Sequence, residues 1–187
     1  SDLMHALTDA AARVVIVEPE TWERIERLGP SAVAPFEFFA AHGDCPGLPR
    51  FEYLLLDAPI TEWPVLHPGD PAIIVYSGGT TGLPKGIVLS HFAMVAAGLR
   101  YKEITGAGPA DSHYSTLSLF HVGGTQLGFI GPMLSDCTTT LDRRFSVSGY
   151  WPRVCEVGAT IIDPVGTMKT ALVQAKPSPD EGRHGVR

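Results

Sequence analysis

Short apolar runs alternate along the chain with amphipathic segments and with loops that are rich in glycine and proline. Apolar runs of about four to eight residues, bounded by turn residues, are typical of strands buried in a parallel sheet. The runs that predict strands are residues 13–17, 51–56, 72–75, 87–89, 114–119, 137–141 and 159–163. The segments that predict helices are residues 2–12, 20–28, 90–102, 120–134, 147–157 and 167–174. This alternation predicts an α/β fold, a mostly parallel layered sheet with flanking helices.

Individual residues mark the faces and ends of several predicted elements. Leu3 and Leu7 recur along one face of the first helix. Ser90 is a candidate N-cap for the helix that follows it, because its hydroxyl can accept a hydrogen bond from an amide of the first turn. Residues 176–187 are polar and contain two prolines and two glycines, which predicts a mobile tail.

Composition narrows the class of protein. Hydrophobic residues make up 44% of the 187 residues and charged ones 18%, which predicts a packed core. The net charge of −6 and the absence of a basic run argue against nucleic acid as a partner. No apolar run approaches the roughly 20 residues of a membrane-spanning helix. The three cysteines have no metal-ligand spacing and indicate free thiols in a reducing compartment, so we expect a cytoplasmic location. A catalytic thiol stays open, without support from spacing.

One loop carries the clearest chemical signal. It follows the apolar run 72–75, precedes the run 87–89, and combines glycines, hydroxyl side chains and a lysine. Glycines let backbone amides converge on an anion, hydroxyls add short donors, and the lysine adds a positive charge. The candidate phosphate-binding residues are Ser77, Gly78, Gly79, Thr80, Thr81, Gly82, Lys85 and Gly86.

The loop differs from two better-known phosphate loops. A Walker A loop has Gly-Lys-Ser/Thr running into a helix, whereas Lys85-Gly86 here precedes a predicted strand. The dinucleotide pattern G-x-G-x-x-G is absent. A plain glycine-rich hairpin that joins two strands is the alternative interpretation, and the Pro84-Lys85-Gly86 ending disfavours it.

The complete string from Tyr76 to Gly86 resembles the phosphate-binding signature of the adenylate-forming superfamily. That superfamily comprises acyl-CoA synthetases, the adenylation domains of peptide synthetases, and luciferases. The chain departs from the signature at Gly78, where the family usually has a serine. The departure removes one hydroxyl donor from the loop and leaves the backbone amide in place.

The resemblance extends over residues 3–175. Residues 119–122 resemble the second family motif, whose histidine or aromatic residue lies beside the acyl pocket. Residues 158–161 and 165–168 resemble the strand and turn that line the acyl channel. The acyl-pocket residues that the resemblance implies are His121, Val122, Gly166 and Thr167. We therefore expect residues 1–175 to form a partial N-terminal adenylation domain, closest to the medium-chain or carnitine-type acyl-CoA ligases.

Other family segments have no match in this sequence. These are the Tyr-Gly-x-Thr-Glu segment at adenine and magnesium, the Thr-Gly-Asp segment at the ribose, and the C-terminal domain with its catalytic lysine. We therefore expect the chain to be an internal piece of an acyl-CoA synthetase that is inactive alone.

The resemblance implies the reaction and its participants. A small-molecule carboxylic acid would react with ATP to give an acyl-adenylate, and coenzyme A would then accept the acyl group. Lys85 is the implied catalytic residue, since its charge would offset that of the departing pyrophosphate. Mg²⁺ would accompany ATP, and we expect no metal site within these residues. Self-association through an exposed sheet edge is a further expectation.

Several alternatives remain open from sequence. His121 could be a structural residue, and Gly166 with Thr167 could only cap a helix. The chain could be a stand-alone phosphate- or nucleotide-binding module without turnover. A hydrolase is disfavoured, because the nucleophile-elbow pattern G-x-S-x-G is absent around Ser77.

Overall fold

The computed structural model describes residues 2–43, 45–55, 61–78 and 82–187. The chain forms two compact units. The N-terminal unit comprises Ser1–Leu66 together with Tyr76–Ile87, and the C-terminal unit comprises His67–Val75 together with Val88–Arg187.

The N-terminal unit is built on two parallel strands. Its elements are α1 (Asp2–Asp9), β1 (Val14–Val17), α2 (Pro19–Glu26), α3 (Pro30–Val33), β2 (Glu37–Ala40) and the 3-10 helix Phe51–Leu54. Strand β1 pairs with β2 in parallel, with Val14 opposite Glu37. Proline opens α2, where its missing N–H costs nothing. The sequence pattern did not predict β2, although the aromatic side chains around it are a signal for a strand.

The core of this unit lies between the two strands and α2. Trp22 and Phe38 pack with ring centroids 5.0 Å apart. Leu7 of α1 packs against the same cluster, which anchors the first helix on the core. The buried members of the cluster are Val15, Val17, Trp22, Ile25, Phe38, Ala40 and Cys45.

The predicted strand at residues 51–56 is wrong over the part that the structure describes. Phe51–Leu54 is a 3-10 helix. Tyr53 is 74% exposed, so this apolar run does not enter a core and gains nothing from pairing in a sheet. A short apolar run does not by itself distinguish strand from helix.

Strands β3 (Pro71–Ser77) and β4 (Lys85–Ser90) pair with each other, and α4 (His91–Thr105) follows. The hydroxyl of Ser90 accepts a hydrogen bond from the amide of Ala93 at 3.2 Å, which confirms the predicted N-cap. The helix ends at Gly106, whose φ of 63° is the left-handed conformation that glycine adopts readily at a C-cap.

The C-terminal unit contains a three-stranded parallel sheet in the order β6–β5–β7. The strands are β5 (Ser112–Ser115), β6 (Thr138–Leu141) and β7 (Ile161–Ile162), with helices α6 (Tyr150–Glu156) and α7 (Gly166–Gln174). The predicted strand at 114–119 overlaps β5 only at its end. The hydroxyl of Ser115 accepts the amide of Leu117 at 3.1 Å, so the chain turns out of the sheet there.

The predicted helix at 120–134 contains a π-helical segment, Gly124–Ile130, followed by α5 (Gly131–Leu134). Two glycines allow this segment to lie close to α4. A Cβ at Gly131 would be 2.5 Å from the ring of Tyr101, and one at Gly98 would be 2.6 Å from Leu134. π-Helical turns occur frequently near functional sites.

The core of the C-terminal unit lies against the sheet and α6, and its fully buried members include Val154 and Ala159. The tail contacts this unit: the guanidinium of Arg187 lies 2.9 Å from the carboxylate of Asp111, and its amide donates to Thr160. The predicted mobility of the tail and the extent of the predicted domain, residues 1–175, stay predictions. No helix in the described ranges combines the length and apolarity of a membrane span.

Candidate functional site

The candidate phosphate loop joins β3 to β4. Ser77 is the last residue of β3, and Lys85 and Gly86 are the first two residues of β4. Gly78 and Gly82 lie between the strands and are exposed. The remaining predicted phosphate-binding residues, Gly79, Thr80 and Thr81, lie outside the described residues.

The described part of the loop is exposed. The side chains of Ser77 and Lys85 are exposed. A Cβ placed at Gly78 or Gly82 would meet no atom within 4 Å. No carboxylate of the described residues pairs with the ammonium of Lys85. An exposed lysine without an internal counter-ion keeps its charge available for a ligand phosphate.

The residues on both sides of the loop are hydrogen-bonded to helix α1. The hydroxyl of Tyr76 lies 2.7 Å from a carboxylate oxygen of Asp9, and this hydrogen bond raises the pKa of the tyrosine. The imidazole Nε2 of His5 donates to the carbonyl of Pro84 at 3.0 Å. The loop is therefore tied to the N-terminal unit on each side.

The predicted acyl-pocket residues belong to the C-terminal unit and follow two neighbouring strands. His121 and Val122 come after β5, and Gly166 and Thr167 open α7 directly after β7. Because β5 and β7 are parallel neighbours, both pairs follow the carboxyl edge of the sheet, where open α/β sheets bind ligands. The Nδ1 atom of His121 accepts the amide of Gly123 at 3.1 Å, which orients an exposed ring.

A buried polar cluster at the same sheet was missed from sequence. The hydroxyl of Ser115 donates to Asp163 at 2.9 Å, and the Nε2 atom of His113 lies 3.6 Å from the same carboxylate. The ring of Tyr101 meets that of His113 edge-on, with centroids 5.7 Å apart. The available signal was polar residues inside a buried strand, and an aspartate directly after two isoleucines.

Burial sets the charges of this cluster. It lowers the pKa of His113 to about 4 and raises that of Asp163 to about 6. The hydroxyl of Ser115 acts in the opposite direction on Asp163, because it stabilises the carboxylate. At neutral pH the imidazole is therefore uncharged and the carboxylate is ionised. A group of His, Cys, Asp and Glu that could hold a metal ion is not found in the described part of the chain.

Comparison with known proteins decides the family. The sequence model of the family described as "AMP-binding enzyme" matches residues 1–186. The chain belongs to this family. The chain is 31% identical to mouse (Mus musculus) long-chain fatty acid transport protein 5 over 193 residues. That alignment covers 99% of the chain but 28% of the mouse protein, so the chain spans less than a third of this relative's length.

Solved structures give the same fold. The chain matches the anthranilate CoA ligase AuaEII, solved with anthranoyl-AMP, with a TM-score of 0.76 and 26% identity. This match covers 86% of the chain and 32% of the ligase. A benzoate CoA ligase from Burkholderia xenovorans LB400 matches with a TM-score of 0.82 and 24% identity, over 100% of the chain and 37% of the ligase. At that identity the second likeness shows the fold alone.

The predicted family and the α/β class with a parallel sheet are therefore confirmed. Its relatives include CoA ligases, as the resemblance implied. The roles of the individual loop and acyl-pocket residues stay predictions.

Proposed function

We propose that this chain supplies the polyphosphate-binding loop and part of the acyl-binding region of an AMP-forming acid–thiol ligase. The observation that carries the proposal is the exposure of Ser77 and Lys85 at the two ends of the segment that joins β3 to β4. Membership of the AMP-binding family supports it, as do relatives that are CoA ligases.

The proposed reaction has two steps. A carboxylate oxygen of the acid attacks the α-phosphorus of ATP, and the bond from that phosphorus to the bridging oxygen of pyrophosphate breaks. The sulfur of coenzyme A then attacks the acyl carbon, and AMP leaves with the oxygen that joined it to the acyl group. Catalysis of the first step comes from positioning the reactants and from stabilising negative charge.

The loop would act on the leaving group. Amides and hydroxyls of residues 77–82 would hold the β- and γ-phosphates, while Gly86 allows close approach at the start of β4. Lys85 would offset the charge that grows on pyrophosphate as the bond breaks, an effect that is largest where water is excluded. Mg²⁺ would arrive with ATP, because it keeps few protein ligands when phosphates coordinate it.

The acyl end of the substrate would lie at the carboxyl edge of the parallel sheet. His121 and Val122 would form one wall of the pocket, and Gly166 and Thr167 the other. His121 serves here as a wall and not as a proton carrier. The three free cysteines support a reducing, cytoplasmic place of action. We expect the 187 residues alone to give no turnover, since the family's adenine and ribose segments have no match among them.

ATP–pyrophosphate exchange tests the proposal on the protein at its natural length, with palmitate and benzoate as probe acids. Lys85→Ala should slow exchange on the order of 100-fold, with the KM for the acid unchanged. Lys176→Ala, which removes another exposed lysine, should exchange at the unsubstituted rate. Equal rates for the two variants would overturn the role of Lys85. ATP binding without exchange for any carboxylic acid would indicate a nucleotide-binding module instead.

A further inference from the structure

Tyr76, which directly precedes the loop, connects its N-terminal end to helix α1. Its hydroxyl lies 2.7 Å from a carboxylate oxygen of Asp9 and 3.1 Å from the carbonyl of Ala6. The phenol has one proton to donate, and the shorter contact to the carboxylate is the charge-assisted one. Since Tyr76 directly precedes Ser77, this bond fixes the backbone where the chain enters the loop.

His5 of helix α1 is hydrogen-bonded to the C-terminal end of the loop, at Pro84. Its Nε2 atom lies 3.0 Å from the carbonyl oxygen of Pro84, so the ring nitrogen carries the proton and donates it. That carbonyl belongs to the peptide bond that leads into Lys85. The bond therefore fixes the peptide plane from which the lysine side chain starts.

The two bonds share one face of one rigid element. His5 and Asp9 are four residues apart in α1, which places them one above the other along the helix. Leu7 of the same helix packs against the buried cluster around β1 and β2. Helix α1 thus lies between the core of the N-terminal unit and the two ends of the loop.

We propose that His5, Asp9 and Tyr76 are positioning residues for ATP, which hold the ends of the loop at the separation that the polyphosphate requires. This inference rests on the proposed function. Restraints on the two ends of a chain segment reduce the number of conformations that the segment can adopt. Affinity falls in proportion to the fraction of molecules in the binding-competent one. Bonds that restrain both ends raise that fraction without touching the nucleotide.

The test compares two nucleotides on the protein at its natural length. Isothermal titration calorimetry with ATP and Mg²⁺ should show affinity falling about 3- to 10-fold in Tyr76→Phe, Asp9→Ala and His5→Ala, the loss expected for one hydrogen bond. Affinity for AMP should stay unchanged, because AMP lacks the β- and γ-phosphates that the loop would hold. A purely structural role would weaken both nucleotides alike or only lower the melting temperature.

Two controls sharpen the comparison. Tyr53→Phe removes the same hydroxyl from a side chain of the same unit that is 74% exposed, and should leave both affinities unchanged. His5→Gln keeps an N–H donor and should recover part of the ATP affinity that His5→Ala loses. If Tyr76→Phe matched Tyr53→Phe in its ratio of ATP to AMP affinity, the positioning role would be overturned. If the unsubstituted protein bound ATP no more tightly than AMP, the proposed function itself would fail.

Discussion

The Nε2 atom of His113 lies 3.6 Å from a carboxylate oxygen of Asp163, yet the two groups do not form an ion pair at neutral pH. Burial lowers the pKa of the histidine to about 4 and raises that of the aspartate to about 6. Each group favours its neutral form, because few water molecules reach it. The two therefore act in opposite directions on stability as pH changes.

Asp163 should destabilise the C-terminal unit as pH rises. Its pKa is about 6 in the folded chain against an ordinary value of 3.8, so the stability it contributes is full below 3.8 and is lost between about 4 and 6. Asp163→Asn keeps an acceptor for Ser115 and cannot ionise. Relative to the unsubstituted chain, the variant should gain about 2 kcal/mol between pH 4.5 and pH 7.5, measured by urea unfolding. Asp136→Asn, at an exposed aspartate, should show no such pH dependence.

His113 should make the chain sensitive to acid. Its pKa falls from an ordinary 6.5 to about 4, so the stability it contributes is full above 6.5 and is lost as pH falls to 4. The folded chain must then release a proton that the unfolded chain keeps. His113→Leu, of similar size and without ring nitrogens, should flatten the loss of urea-midpoint stability between pH 6.5 and 4.5. If the variant lost as much stability between pH 6.5 and 4.5 as the unsubstituted chain, another group would be responsible for the acid sensitivity.

Gly131 should not tolerate a side chain. A Cβ there would be 2.5 Å from the ring of Tyr101, which is 5% exposed and cannot move away easily. Gly131→Ala should lower the free energy of unfolding by about 1–3 kcal/mol, measured in urea. Gly182→Ala, where a Cβ meets no atom within 4 Å, is the matched control and should change stability little. Equal effects would mean that α4 and α5 separate at small cost.

The 187 residues alone should be marginally stable or self-associate. Phe120 and Val173 are each 84% exposed, and β6 and β7 are the outer strands of the three-stranded parallel sheet. Exposed apolar side chains and open sheet edges favour association. Sedimentation velocity over a range of concentrations should show mass rising with concentration. A monomer that unfolds cooperatively at high urea concentration would contradict this expectation.

The parts of the fold that depend on interactions between neighbouring residues could be predicted from the sequence. The N-cap at Ser90 was predictable because its hydroxyl bonds an amide three residues away. The predicted strand at 51–56 is wrong over its described residues, 51–55, because an apolar run does not reveal whether a core lies beside it. Strand β2 needed its partner β1 to be recognised, and that pairing joins residues far apart in sequence.

In the candidate site, too, features formed by neighbouring residues were predictable, and features formed by distant residues were not. The loop around Lys85 could be proposed as a candidate from sequence because its glycines, hydroxyls and lysine are contiguous. The cluster of His113, Ser115 and Asp163 was not, since Asp163 joins β5 only through the pairing of β5 with β7. The bonds from α1 to Tyr76 and Pro84 were equally hidden, because they span 67 and 79 positions.

The two hydrogen bonds from α1 to the ends of the loop, if they position it for ATP as proposed, have a practical result for anyone shortening this protein. A version that starts at Ala10 would retain every glycine, hydroxyl and lysine of the signature and still lose His5 and Asp9. Under this proposal, the shortened version would bind ATP more weakly. The loss would look like a defect of the signature itself, although its cause would lie some seventy positions upstream.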